Sequence, residues 1–212
     1  MRPHTFAKGE FYHIYVHGIG NLEIFREDRD YNRFLSLLFS SNTINPTPRL
    51  DRAIALNLVW DILSGEIKLG ESLTDIICFC LMPTHFHLLL REREGGNISK
   101  YLHKILVSHS KYYNIKYERR GHLFESNFHS KHIDNNDYLL ILSCYIHKNS
   151  KDLESWKNKE HFYPWSSYQD FVSQNRWQHL LKKDIIAGQF KNSEEYKNFT
   201  EEHYQDFDPN LV

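Results

Sequence analysis

The sequence predicts an α+β fold of the ferredoxin-like (RRM-like) kind, a β-α-β-β-α-β sandwich with helices on one sheet face, followed by an added C-terminal helix and a tail. Three observations predict it. Two apolar runs of strand length, Asp75–Met82 and His85–Arg91, are separated only by Pro83-Thr84 and so form an antiparallel hairpin. Each half of the chain holds a helical pattern between strand-like runs. The strand-like runs are short and bounded by Gly, Pro or Asn, as strands are.

The elements follow in order. Phe11–Val16 is a strand of aromatic and β-branched residues, closed by Gly18 and Gly20. Asp28–Ser41 reads as a helix, because Tyr31, Phe34, Leu35 and Leu38 fall at helical spacing. Ser40–Arg49 is a loop with two prolines, and Arg52–Leu69 is ambiguous between helix and hairpin, since Leu56, Leu58, Trp60 and Ile62 alternate. Residues 43–74 together read as an insertion. After the hairpin, Asn97–Tyr117 is a long amphipathic helix with Ile98, Tyr101, Leu102, Ile105 and Leu106 on one side, stopped by Gly121. Phe128–Ile133 is a further strand, and Asn135–Asn149 a helix that Asn135 or Asn136 is placed to cap. The expected organisation is one domain over residues 1–170 and an extension over 171–212.

Composition narrows the class. Of the 212 residues, 41% are hydrophobic and 15% aromatic, which excludes gross disorder. No apolar run reaches the ~20 residues of a membrane helix, and no signal-like run follows Met1, so no membrane association is expected. Three cysteines, an odd number, argue against a disulfide framework and for the cytoplasm. The net charge is −1, but it is unevenly spread. Between Asn97 and Ile133 stand Lys100, Lys104, Lys111, Lys116, Arg119, Arg120 and Lys131 against only Glu118 and Glu125. Between Lys191 and Asp208 the balance reverses, with six acids against Lys191 and Lys197. A basic middle is compatible with a polyanion partner and equally with a solvated helix face.

Two groups could carry chemistry. His85-Phe86-His87 lies on a strand, where residues two apart share a face, so both imidazoles could reach one metal ion. With 14 histidines in the chain such a triplet arises about once by chance, but here it interrupts an apolar hairpin. Tyr145 and Asn149 lie four apart on the last helix and share a face. A tyrosine can form a covalent intermediate, but a phenol of pKa about 10 needs help, such as a metal polarising the electrophile. Cys78 and Cys80 lack a partner pair for zinc, and Gly18-Ile19-Gly20 lacks the third glycine of a dinucleotide loop.

The run Leu81-Met82-Pro83-Thr84-His85-Phe86-His87-Leu88-Leu89-Leu90 resembles the histidine–hydrophobic–histidine strand of the single-tyrosine transposases of the HUH superfamily (IS200-like transposases), most of all the REP-associated tyrosine transposases. The likeness extends from residue 9 to 170. It includes Tyr12-His13-Ile14-Tyr15, Asp30-Tyr31-Asn32-Arg33-Phe34-Leu35, Gly121-His122-Leu123-Phe124, Tyr145-Ile146-His147-Lys148-Asn149 and Trp165-Ser166-Ser167-Tyr168. The chain departs from the family's pattern at Ser150, where a proline is common, at Thr84, at Asn127 and at Val16-His17-Gly18, where many relatives carry Asn-Arg-Gly.

The resemblance implies a metal-dependent single-strand DNA endonuclease and strand transferase acting on hairpin-containing DNA. Tyr145 would attack a DNA phosphate, giving a 5′-phosphotyrosine link and a free 3′-OH. His85, His87 and Asn149 would hold Mg²⁺ or Mn²⁺, and Lys100, Lys104, Lys111, Arg119, Arg120 and Lys131 would contact single-stranded or hairpin DNA. Monomer and homodimer are both open. Two other readings stand beside this one: a non-catalytic DNA-hairpin-binding protein on the same fold, and a metal phosphodiesterase that uses water.

Overall fold

A computed structural model describes residues 5–46, 55–125 and 128–207. Asn127, the second proline of the 40–49 loop and the last residues of the tail lie outside the described residues.

Four strands, β1 (Phe11–His17), β2 (Thr74–Met82), β3 (His85–Glu92) and β4 (His129–Ile133), form one antiparallel sheet in the order β2-β3-β1-β4. This is the ferredoxin-like order, with β1 and β3 at the centre. The β2–β3 hairpin closes on Met82 and His85 around Pro83-Thr84. Pro83 presets the turn, and its carbonyl accepts from the N–H groups of Ile24 and Phe25 at 2.7 and 3.1 Å.

Helices α1 (Asp28–Ser40) and α3 (Asn97–Lys116) pack on one sheet face. Glu27 and Asp30 form a capping box that starts α1. Glu92, at the end of β3, accepts from the backbone of Glu94, Asn97 and Ile98 at 3.0–3.3 Å, and so starts α3. Phe86 of β3 meets Phe34 of α1 with ring centroids 4.9 Å apart, and Tyr101 of α3 donates to the Leu38 carbonyl at 2.7 Å. The ambiguous 52–69 stretch is, in its described part, the helix α2 (Ala55–Leu63). Val59 and Ile62 are buried at helical spacing and Trp60 is exposed, which alternation does not allow.

The other sheet face takes the helix that the sequence adds after the sandwich. Helix α4 (Asn136–Lys148) covers the opposite face, with Leu139, Leu142 and Ile146 buried at helical spacing. The reason is that this face is not polar throughout: Cys78, Cys80 and Leu89 project from it and are fully buried. Asn135 caps α4 by accepting from the Tyr138 N–H at 2.8 Å.

The chain beyond α4 seals the outer edge of β2. Trp165 accepts from Leu81 N–H at 2.9 Å, Ser167 N–H donates to Phe79 O at 3.0 Å, and Lys182 N–H donates to Ile76 O at 2.8 Å. An open strand edge is an aggregation hazard, and these bonds remove it. Short helices α5 (Tyr168–Val172) and α6 (Asp184–Ala187) lead to α7 (Ser193–His203), which lies on α4. Trp177, Leu181, Ile186 and Tyr196 of the extension join the same hydrophobic core as the sheet. Between α4 and α7 runs a buried polar chain: His147 Nδ1 to Tyr196 Oη at 2.7 Å, His147 Nε2 to Ser167 Oγ at 2.9 Å, and Tyr196 Oη to Ser143 Oγ at 3.0 Å.

Candidate active site

The sheet face under α4 is built by alternation. On β3 it presents His85 and His87. On β1, the cross-strand partners Tyr15↔His87 and His17↔His85 present Tyr15 and His17, with His13 two residues on. On β4, His129 and Lys131 stand opposite Tyr15 and His13. Side chains paired across an antiparallel ladder share a face, so these rings form a patch rather than isolated groups. Centroids are 5.1 Å apart for His85 and His87, 4.8 Å for His17 and His85, and 4.9 Å for Tyr15 and His129.

Helix α4 brings Tyr145 and Asn149 over this patch, one turn apart at its C-terminal end. The Tyr145 ring meets the His87 ring edge-to-face at a centroid distance of 5.4 Å, and Asn149 Oδ1 lies 3.1 Å from His85 Nε2. The other face of Tyr145 is covered by Phe207, stacked at 4.2 Å, which also touches His13 and Tyr138.

Burial sets the protonation states. His87 is held well below the usual imidazole range, first by burial and then by the neighbouring His13, His85 and His17. His85 is lowered by burial, with Asn149 opposing. His13 is brought down to about 3 by burial, with the Lys131 charge adding. All three are therefore neutral at pH 7, with one bare nitrogen each. Burial raises the Tyr145 phenol, and Asn149 pulls it part of the way back.

Among the described residues no three His, Cys, Asp or Glu side chains converge to hold a metal ion. A metal here would use two imidazoles and the Asn149 amide oxygen. The donors fit that arrangement. Two ligands at ~2.1 Å and a right angle stand about 3 Å apart, the spacing of His85 Nε2 and Asn149 Oδ1. Each imidazole is also tied at Nδ1: His85 to Thr84 Oγ1 at 3.1 Å, His87 to His13 Nε2 at 2.9 Å. Ligating histidines are characteristically held in this way through their second nitrogen.

The basic residues are dispersed. Lys131, which stands over the Tyr138 ring at 4.9 Å, lies on the face of the imidazole patch. Lys100, Lys104 and Lys111 lie on α3, across the sheet from Tyr145, and Arg119 and Arg120 just beyond its end. Lys104 donates to the Thr43 and Asn45 carbonyls at 2.6 and 2.9 Å, Lys100 to Asn97 Oδ1 at 3.2 Å, and Arg119 to Asn114 Oδ1 at 3.3 Å. Lys111 and Arg120 are exposed. The sequence did not single out His13, Tyr15 and His17 as members of this face. The signal was their own period-2 alternation on β1, which acquires meaning only once β1 is known to pair with β3.

Residues 66–149 match the family described as "Transposase IS200 like". The matched span runs from before β2 to the end of α4 and holds His85, His87, Tyr145 and Asn149. No curated protein matches the chain. A solved structure of a REP-associated tyrosine transposase bound to a REP hairpin is similar at 15% identity, over 81% of this chain and 84% of that one, with a TM-score of 0.47.

Proposed function

From the premise that residues 66–149 carry the sequence pattern of IS200-like transposases, we propose that the chain is a metal-dependent enzyme that nicks and rejoins single-stranded DNA through Tyr145. The observation that carries this reading is the position of Asn149, whose oxygen is 3.1 Å from His85 Nε2 one helical turn from Tyr145. One residue thereby links the proposed nucleophile to the proposed ligands.

His85 Nε2, His87 Nε2 and Asn149 Oδ1 would hold Mg²⁺ or Mn²⁺. Imidazole donors favour Mn²⁺ over Mg²⁺. The ion supplies Lewis-acid polarisation of a phosphoryl oxygen. The protein's residues supply the rest. Burial keeps the Tyr145 phenol protonated at neutral pH, so it attacks only where the electrophile is activated. A bond forms between Tyr145 Oη and phosphorus, the bond from phosphorus to the 3′ oxygen breaks, and the phenol proton ends on that oxygen through solvent. The phosphodiester energy is kept in the tyrosine link, so a second 3′-OH can reverse the step without ATP. Lys131 is suited to a phosphate of the strand at the site, and Lys111 and Arg120 to flanking or hairpin phosphates. Lys104 is occupied by backbone carbonyls and is the weakest of the proposed contacts.

The test is a hairpin oligonucleotide with single-stranded flanks, incubated with Mn²⁺ and run on a denaturing gel. A covalent protein–DNA adduct that Tyr145→Phe abolishes is the expected result. Cleavage that survives Tyr145→Phe without adduct favours the water-using phosphodiesterase. Binding without cleavage favours the hairpin-binding protein.

A further inference from the structure

We propose that His13 is a positioning residue for the metal site: it accepts the Nδ1 proton of His87 and thereby presents the bare Nε2 of that ring to the ion. The inference rests on the reading of His85, His87 and Asn149 as ligands and adds to it a residue outside the ligand set.

The hydrogen-bond geometry is explicit. His13 Nε2 and His87 Nδ1 are 2.9 Å apart, between nearly parallel rings with centroids 5.1 Å apart. A neutral imidazole carries one proton, so this bond has two arrangements. In one, His13 donates from Nε2. His87 then carries its proton on Nε2 and cannot bind a cation there. In the other, His87 donates from Nδ1, and its Nε2 lone pair is free. At His85 the Thr84 hydroxyl faces Nδ1 and can give or take a proton there, while Asn149 Oδ1, an acceptor, takes a hydrogen bond from Nε2–H. Binding an ion at Nε2 would move that proton to Nδ1, with Thr84 Oγ1 as its acceptor. With an ion bound, only the second arrangement at His87 gives two rings anchored at Nδ1 and open at Nε2.

A second, independent observation is the far nitrogen of His13. His13 is 2% exposed, and its Nδ1 is buried with no hydrogen-bond partner among the described residues. In the proposed arrangement that atom carries His13's own proton, an unmet donor that costs about 1–3 kcal/mol. A phenylalanine would fill the same space, against Tyr15 and Phe207, without that cost. Packing therefore does not account for an imidazole at this position, whereas a hydrogen-bond partner for His87 does, and the ligand role of His87 Nε2 makes that partner the acceptor.

The test uses the full chain with Mn²⁺ as probe, affinity being read from the paramagnetic resonance of free Mn²⁺. Wild type is compared with His13→Phe, which removes the acceptor, His13→Gln, whose Oε1 replaces Nε2 as acceptor, and His87→Ala. Thermal melts report the folding of each. The expected result is a loss of affinity of about 10- to 100-fold in His13→Phe and of less than about threefold in His13→Gln. ¹⁵N imidazole shifts of wild type with diamagnetic Mg²⁺ are expected to show His87 protonated at Nδ1. If His87→Ala loses Mn²⁺ while His13→Phe keeps it, or if the Phe and Gln variants lose it equally, the role of His13 is overturned and the ligand reading stands. Unchanged binding in His87→Ala overturns the ligand reading and the role of His13 with it. Should His13→Phe fail to fold, the Gln variant and the ¹⁵N shifts decide, and His87 protonated at Nε2 in the Mg²⁺-loaded protein is the refuting result.

Discussion

His109 is a stability sensor for acid that lies away from the candidate active site, and its effect can be worked from its surroundings. It sits on α3 with no exposure, its ring against Phe25 and Phe34 at 5.1 Å and near Phe124. Nε2–H donates to the Ile24 carbonyl at 2.9 Å, and Nδ1 has no partner among the described residues, so nothing receives a second proton. Burial, opposed by the bond to Ile24, brings this imidazole down to about 4. In the unfolded chain it titrates near 6.5. Between those values the unfolded state binds a proton that the native state refuses. Stability from this group is therefore complete above pH 6.5 and falls as the pH drops towards 4. From pH 8 to pH 5 the loss is about 2 kcal/mol, at 1.36 kcal/mol per pH unit below 6.5. His109→Gln keeps a donor for the Ile24 carbonyl and removes the titration. Whatever the offset at pH 8, the stability gap between wild type and variant should shift by about 2 kcal/mol in the variant's favour at pH 5. Urea unfolding at the two pH values measures it. A gap that moves by less than about 0.5 kcal/mol would refute the reasoning, because a buried unpartnered imidazole must then be taking a proton without penalty.

Other consequences follow from the same contacts. Tyr196→Phe removes the hydroxyl shared by His147 and Ser143 and leaves His147 Nδ1 without a partner; calorimetry should show a loss of about 1–3 kcal/mol. Lys148 binds Glu160 at 3.0 Å, with the two side chains 6% and 3% exposed. Lys148→Met strands that carboxylate and should cost about 3 kcal/mol in denaturant unfolding, with much of the loss recovered by adding Glu160→Gln. Asn149→Leu should weaken Mn²⁺ binding in a titration while leaving the circular dichroism spectrum unchanged, since Asn149 Oδ1 makes its contact with the His85 ring.

What the sequence made legible was local. The hairpin, its turn at Pro83-Thr84 and the shared face of His85 and His87 follow from period-2 alternation, which needs no knowledge of the rest of the chain. Helices α1, α3 and α4 end within a residue or two of their expected limits, because caps and periodicity are local as well. What was hidden was relational. The Cys78, Cys80 and Leu89 side chains needed a cover, but no pattern in their own strands says that α4 supplies it from the face opposite α1 and α3. His13 looked like one more residue of a β1 strand until pairing put it beside His87. Lys104 read as a free cation until the loop carbonyls of Thr43 and Asn45 were seen to engage it. In each case the missing information was a long-range contact.

The tight closure of β2 on β3 has a consequence for how this protein can change. Every residue of β3 from His85 to Arg91 is keyed to a partner on both sides, Met82 to His85 and Tyr15 to His87 among them. Moving the strand along by one position would exchange its two faces, turning both imidazoles into the aromatic packing around Phe34 and pushing Phe86 out beneath Tyr145. An insertion of one residue at Pro83-Thr84 would therefore damage core and chemistry together. Residue identities at this centre can be traded one at a time, but the length of that two-residue connection cannot.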